Sequence, residues 1–160
     1  MDTIYYGFTS TPIGRFLMLG SGPTLRGLYL DQHQRTPALS KSGALPDEGR
    51  LDGTREQLEE YFTGRRTKFD LVLQPVGTEF QLAVWSALQE IPYGQTTSYG
   101  LIAQRIGRPR AVRAVGLANG QNPISIVIPC HRVIGSDGRL TGYGWGLERK
   151  SWLLDHESAR

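Results

Sequence analysis

The chain of 160 residues holds a single cysteine, and a histidine follows it directly: Cys130-His131. A thiol beside an imidazole can do nucleophilic chemistry, because the thiolate is the reactive form and a base that takes its proton makes more of it. An ordinary thiol is only slightly ionised at neutral pH. A shift of about two pKa units, about 3 kcal/mol, makes most of it reactive. A carboxylate that orients the imidazole would complete the set. Glu157 and Asp155, close to the C-terminus, are the candidates. The competing reading is that a lone cysteine is a small buried hydrophobe.

The stretch that must carry the cysteine is Ile124-Ser125-Ile126-Val127-Ile128, in which four of five residues are β-branched aliphatics. It reads as a short buried strand that stops at Pro129, since proline cannot donate a ladder hydrogen bond. Cys130 would then stand at a strand end, rigid behind and open in front. Consecutive strand residues face opposite ways, so His131 is expected to reach the thiol through a bridging water.

Upstream, residues 4–9, 14–20 and 25–30 are rich in β-formers and are separated by Pro12-Ile13-Gly14 and Gly20-Ser21-Gly22-Pro23, which predicts an antiparallel meander. Residues 31–47 read as a polar loop, 51–62 as a helix ending at Gly64, and 68–73 as a further strand. Nothing in this first part looks chemical, so 1–76 is expected to be a scaffolding domain and 77–160 the working one, joined at Gln74-Pro75-Val76-Gly77. Thr78 can cap a helix over 79–89 whose Phe80, Val84, Trp85 and Leu88 repeat at helical spacing and read as core. Ser98 can cap a second over 99–106, and after Gly107 and Pro109 a third runs over 110–118. Helix, short glycine-containing turn, helix is the pattern of a helix-turn-helix. The fold class expected is α/β in the α+β sense: a small N-terminal antiparallel sheet with a helix, then a mostly helical lobe with a short strand leading to Cys130.

Composition narrows the partners. The net charge is +3, but residues 1–75 carry nine basic and nine acidic side chains, so the excess lies beyond them. No acidic residue occurs between Glu90 and Asp137, whereas Arg105, Arg108, Arg110, Arg113 and Arg132 all do. Such a window suggests a polyanionic partner. The helix over 110–118 bears Ala111, Ala114, Gly116 and Ala118 with only two arginines, too few polar groups for a major-groove reader. Close docking in a minor groove with phosphates held by arginine fits it better. One cysteine and three scattered histidines exclude a disulfide and a cysteine-rich metal site. No apolar run approaches bilayer length and the start lacks a signal-peptide pattern, so no membrane partner and a cytoplasmic location are expected.

Several stretches together resemble the O6-alkylguanine-DNA alkyltransferase family, in particular its bacterial members: Ile128-Pro129-Cys130-His131-Arg132-Val133, Asn122-Pro123, Ile91-Pro92-Tyr93-Gly94, Ser98-Tyr99, Arg113-Ala114-Val115-Gly116, Thr141-Gly142-Tyr143 and Lys150-Ser151-Trp152-Leu153-Leu154. The resemblance implies a DNA repair protein that flips O6-alkylguanine, with O4-alkylthymine as a second lesion, out of double-stranded DNA. It implies irreversible transfer of the alkyl group to Cys130, without metal or cofactor, by a monomer that can cluster on DNA. His131 then matches the base, Glu157 its orienting acid and Asn122 the brace of the active-site turn. Tyr99 matches the residue that helps rotate the nucleotide, Arg113 the side chain that fills the vacated stack, and Ser98 and Arg110 further DNA contacts. Tyr143, Gly144 and Trp145 fall in the loop that closes on the base. Many members carry a small residue where Trp145 stands, so the indole is expected to exclude bulky alkyl groups, to stack over the entrance, or to point outward.

Two other classes remain on the residues alone. A cysteine hydrolase would turn over repeatedly, and a non-enzymatic DNA-binding regulator would keep Cys130 as a structural or sensing thiol.

Overall fold

In the computed structural model, which describes residues 3–31, 33 and 36–158, the first three β-rich stretches form the expected meander: β1 (Tyr5–Thr11), β2 (Gly14–Ser21) and β3 (Thr24–Leu30). Both pairings are antiparallel, and the β2–β3 register slips at Leu19/Gly20, where a Cβ on Gly20 would collide with the Thr24 carbonyl. Two-residue strands extend the sheet in parallel at each edge, β4 (Leu45–Pro46) on β1 and β5 (Val72–Leu73) on β3. The expected loop over 31–47 therefore holds β4 and a single helical turn, α1 (Leu39–Ser42), while Gln32, Gln34 and Arg35 lie outside the described residues. The strand expected over 68–73 shrinks to β5. Strands this short carry no period for a sequence to display. Helix α2 (Asp52–Phe62) lays Thr54, Leu58 and Tyr61 into a core with Phe16, Met18, Leu25 and Leu28. These elements make one compact unit, Met1–Pro75, and Val76–Arg160 makes another.

The second unit begins with α3 (Glu79–Leu88), started by a reciprocal cap: Thr78 Oγ1 accepts from Gln81 N at 3.1 Å and Gln81 Oε1 accepts from Thr78 N at 3.0 Å. Val84, Trp85 and Leu88 are buried as the spacing required, Phe80 only half-buried, and the Trp85 indole N–H finds the Ala118 carbonyl at 2.8 Å. A short strand β6 (Thr97–Ser98) leads into α4 (Tyr99–Arg105), whose cap is the Ser98 hydroxyl. Gly107 turns the chain at φ 76° and α5 (Val112–Gly120) follows, burying Val115, Ala118 and Asn119. Arg110 thus sits in the turn and not on the helix where the sequence put it. The last helix is α6 (Leu147–His156).

The strand expected over 124–128 does not form. The segment is fully buried but folds as consecutive turns, with Val127 N on the Ser125 carbonyl at 2.7 Å and Ile128 N on that of Ile124 at 3.0 Å. Ile126 even takes φ 71°, a conformation rare for a β-branched residue. Buried backbone groups need partners but not a ladder, and here turns and one asparagine side chain supply them. Among the described residues no helix is long and apolar enough to cross a membrane.

Candidate active site

Cys130 opens a single 3-10 turn, Cys130–Arg132, which runs into β7 (Val133–Ile134). β7 pairs in parallel with β6, Thr97 with Val133 and Ser98 with Ile134. This short ladder ties the entry of α4, and with it Tyr99, to the segment that follows the cysteine.

Asn122 braces the turn before the cysteine from both ends. Its Nδ2 donates to the Ile128 carbonyl at 2.8 Å, and its Oδ1 accepts from Ile124 N at 2.9 Å. Asn119 Nδ2 in turn donates to the Cys130 carbonyl at 3.3 Å. The thiol is 4% exposed, and burial pushes its pKa up from the ordinary value. A hydrogen bond from Asn122, the Lys150 charge and backbone N–H groups pull the other way without reversing the shift. The resting group is therefore the thiol.

The candidate base follows it in the chain. His131 is fully buried, and its Nε2 lies 2.8 Å from Glu157 Oε2. Burial pushes the imidazole pKa down, with the Glu157 carboxylate only partly restoring it, so the ring is neutral at neutral pH. Against an ionised carboxylate the proton belongs on Nε2, and the lone pair falls on Nδ1, which is buried and has no hydrogen-bond partner. Burial raises the Glu157 carboxyl, but hydrogen bonds from His131 and Arg132 outweigh it and hold the group far below the usual carboxylate range. Asp155, the other candidate orienter, is exposed on α6.

Arg132 departs from its expected place among the arginines that meet a polyanion. Its Nε donates to Glu157 Oε1 at 2.7 Å, one terminal nitrogen to Oε2 at 3.0 Å and the other to the Ile91 carbonyl at 2.7 Å. It is 7% exposed and serves the orienter. Lys150, given no role from its spacing, is buried too, with Nζ on the carbonyls of Val133 and Thr141 at 2.5 and 2.6 Å. Burial lowers its pKa to about 8, opposed by the charge of an ionised Cys130.

The Thr141 carbonyl also accepts from the Tyr99 hydroxyl at 3.0 Å, so one atom joins α4, α6 and the loop that follows. Burial raises the Tyr99 pKa, which keeps the phenol protonated and able to donate. In that loop the Tyr143 hydroxyl is buried with no hydrogen-bond partner, and Gly144 lies in the turn closed by Gly146 N on the Tyr143 carbonyl at 3.0 Å. Trp145 does not point outward. It is 5% exposed, and its indole N–H donates to the Ser125 hydroxyl. Arg113 on α5 and Arg110 before it are exposed. Among the described residues no cluster of three or more His, Cys, Asp or Glu could hold a metal ion.

Residues 79–159 match the DNA binding domain of 6-O-methylguanine DNA methyltransferase, and residues 4–75 match its ribonuclease-like domain. The methylated-DNA–protein-cysteine methyltransferase of Mycobacterium tuberculosis is 50% identical over 157 residues, covering 98% of this chain and 94% of that protein. The protein of the same name from Methanosarcina acetivorans is 47% identical over 156 residues, covering 98% and 99%. The crystal structure of Mycobacterium tuberculosis OGT in complex with DNA superposes with a TM-score of 0.89 at 48% identity, covering 97% of this chain and 93% of that one.

Proposed function

Because the chain belongs to the 6-O-methylguanine DNA methyltransferase family and so repairs DNA by taking alkyl groups onto a cysteine of its own, we propose that Cys130 is the acceptor and that His131, Glu157 and Asn122 make it one. The observation that carries this reading is the unpartnered Nδ1 of His131, buried one residue from the thiol while Nε2 is committed to Glu157. In the step we assign, Nδ1 takes the thiol proton through one water. The sulfur attacks the alkyl carbon, the S–C bond forms as the C–O6 bond breaks, and the electron pair leaves on guanine. Tyr99 donates to the departing base, and backbone N–H groups of the loop at Tyr143 and Gly144 meet O6. The thioether has no route back to a thiol, so each chain acts once.

The O6 atom is not open to in-line attack inside a duplex, and extruding the base costs a few kcal/mol. Arg113, exposed on α5 beside Ala114, suits filling the vacated stack from the minor groove, with Arg110 on the phosphate backbone. The Ser98 hydroxyl is engaged in its cap, so its contribution is to fix the entry of α4. A buried Trp145 favours exclusion of bulky alkyl groups over stacking at an open entrance. Residues 1–76 act as scaffold and 77–160 carry DNA binding and transfer. Action as a monomer, and in the cytoplasm, belongs to the same proposal.

Peptide mapping after reaction with duplex O6-methylguanine tests the acceptor. The methyl group should appear on the peptide that holds Cys130, and its appearance on any other residue would overturn the assignment.

A further inference from the structure

Helix α5 turns only one side to the core. Val115, Ala118 and Asn119 are buried, whereas Arg113 and Leu117, four residues apart, lie on the opposite side, and Leu117 is 64% exposed. At about 3.6 residues per turn the two project about 40° apart, with Cβ atoms about 5–6 Å from each other. Gly116 lies on the flank of this face, where a Cβ would meet the Tyr99 ring at 3.8 Å, so the face runs on to the Tyr99 side chain. A single exposed leucine needs no explanation on most surfaces. This one stands a turn from Arg113, within a stretch without acidic residues, in the part of the chain that matches a DNA binding domain. An arginine can hold phosphates or fill a stack. A leucine side chain has neither charge nor hydrogen-bonding groups, and in a groove its use is to press on sugars and between base pairs.

We propose that Leu117 is a second wedge for duplex DNA: it enters the minor groove one helical turn from Arg113 and holds open a base-pair step beside the extruded nucleotide. The inference rests on Arg113 and α5 facing the minor groove, as assigned above. Base pairs stack about 3.4 Å apart, so a separation of about 5–6 Å puts Leu117 one or two steps from the place that Arg113 fills. Docking takes the isobutyl group out of water and offsets part of the unstacking that extrusion demands. The contact carries no charge, so it adds affinity without adding salt dependence. It carries no donor or acceptor either, so it reads no base.

Duplexes that hold O6-methylguanine with 2-aminopurine one or two steps to either side report the wedge, because that base emits more strongly when unstacked. Wild type should raise the emission at one of these positions. Leu117→Ala should abolish the rise there, and Leu117→Met, which keeps an apolar chain of similar volume, should retain it. Leu117→Ala should also slow methyl uptake from duplex about tenfold, the scale of one apolar side chain left unburied. The salt slope of binding and uptake from a single-stranded lesion should both stay close to wild type. Equal losses on duplex and single strand, or an emission rise that survives Leu117→Ala, would overturn the wedge. So would a loss confined to cooperative binding, which would make Leu117 a contact between protein copies. If Arg113→Ala reacts on duplex like wild type, the docking face itself fails and the wedge with it, whereas a clear Arg113 effect beside a silent Leu117→Ala sinks the wedge alone.

Discussion

Glu157 Oε2 lies 2.8 Å from His131 Nε2, with both side chains fully buried, and the same carboxylate is gripped by Arg132 through two nitrogens. This places the imidazole proton on the side away from its unpartnered nitrogen. His131→Ala and Glu157→Ala should each slow methyl transfer by about 100-fold or more, the usual contribution of a positioned proton acceptor. The two groups act as a unit, so the double variant should be little slower than either single one. Rapid-quench measurement of methyl uptake checks this, and a His131→Ala rate within a few-fold of wild type would remove the base.

The same pair makes the fold acid-sensitive. Both groups hold protons less readily folded than unfolded, so their stabilisation is complete above the ordinary values, 6.5 for His131 and 4.5 for Glu157, and is lost as pH falls through the folded ones. The thermal midpoint of the wild type should decline in two stages, below about pH 6.5 and again below about pH 4.5. His131→Gln should lose the upper stage and keep the lower. Parallel profiles for the two proteins would contradict the assignment.

With Arg132 locked on Glu157, four arginines of the acid-free window remain for phosphates: Arg108, Arg110, Arg113 and Arg105, the last by leaving its exposed ion pair with Glu90 at 3.2 Å. If all four meet DNA, log affinity should fall against log salt with a slope of about −3.6, a loss of roughly 150-fold between about 50 and 200 mM. Arg110→Ala should reduce the slope by about 0.9, whereas Arg132→Lys should slow transfer and leave the slope alone. Arg113→Ala should impair reaction on duplex more than on single-stranded lesions, and equal losses would argue against a stacking role.

Trp145 should limit the alkyl group. Trp145→Gly should raise the benzyl-to-methyl rate ratio about tenfold or more, about 1.4 kcal/mol. A fall in the ratio would indicate stacking on the substrate instead, and an unchanged ratio would show that the buried ring lies clear of the alkyl group.

What the sequence displayed and what it hid follow from how local each feature is. The caps at Thr78 and Ser98, the apolar repeat of Val84, Trp85 and Leu88, and the meander breaks at Pro12 and Gly22 are local signals, and each lies where its element begins, packs or turns. The apolar run over 124–128 was misleading because burial alone does not say whether backbone groups are met by a ladder or, as here, by turns and Asn122. Arg132 looked like a surface cation because charge in a sequence carries no burial. Only the fold reveals that Glu157, 25 residues on, claims it. The Ser125 and Trp145 partnership spans 20 residues between two segments without periodicity, so no spacing could announce it.

If Cys130 accepts one alkyl group and is then spent, the intact mass of the protein after incubation with excess duplex O6-methylguanine reports it. The wild type should gain one methyl group per chain and then stop, while Cys130→Ala, still binding the lesion duplex, should gain none. Continued turnover by wild type, or methyl uptake by Cys130→Ala, would contradict it.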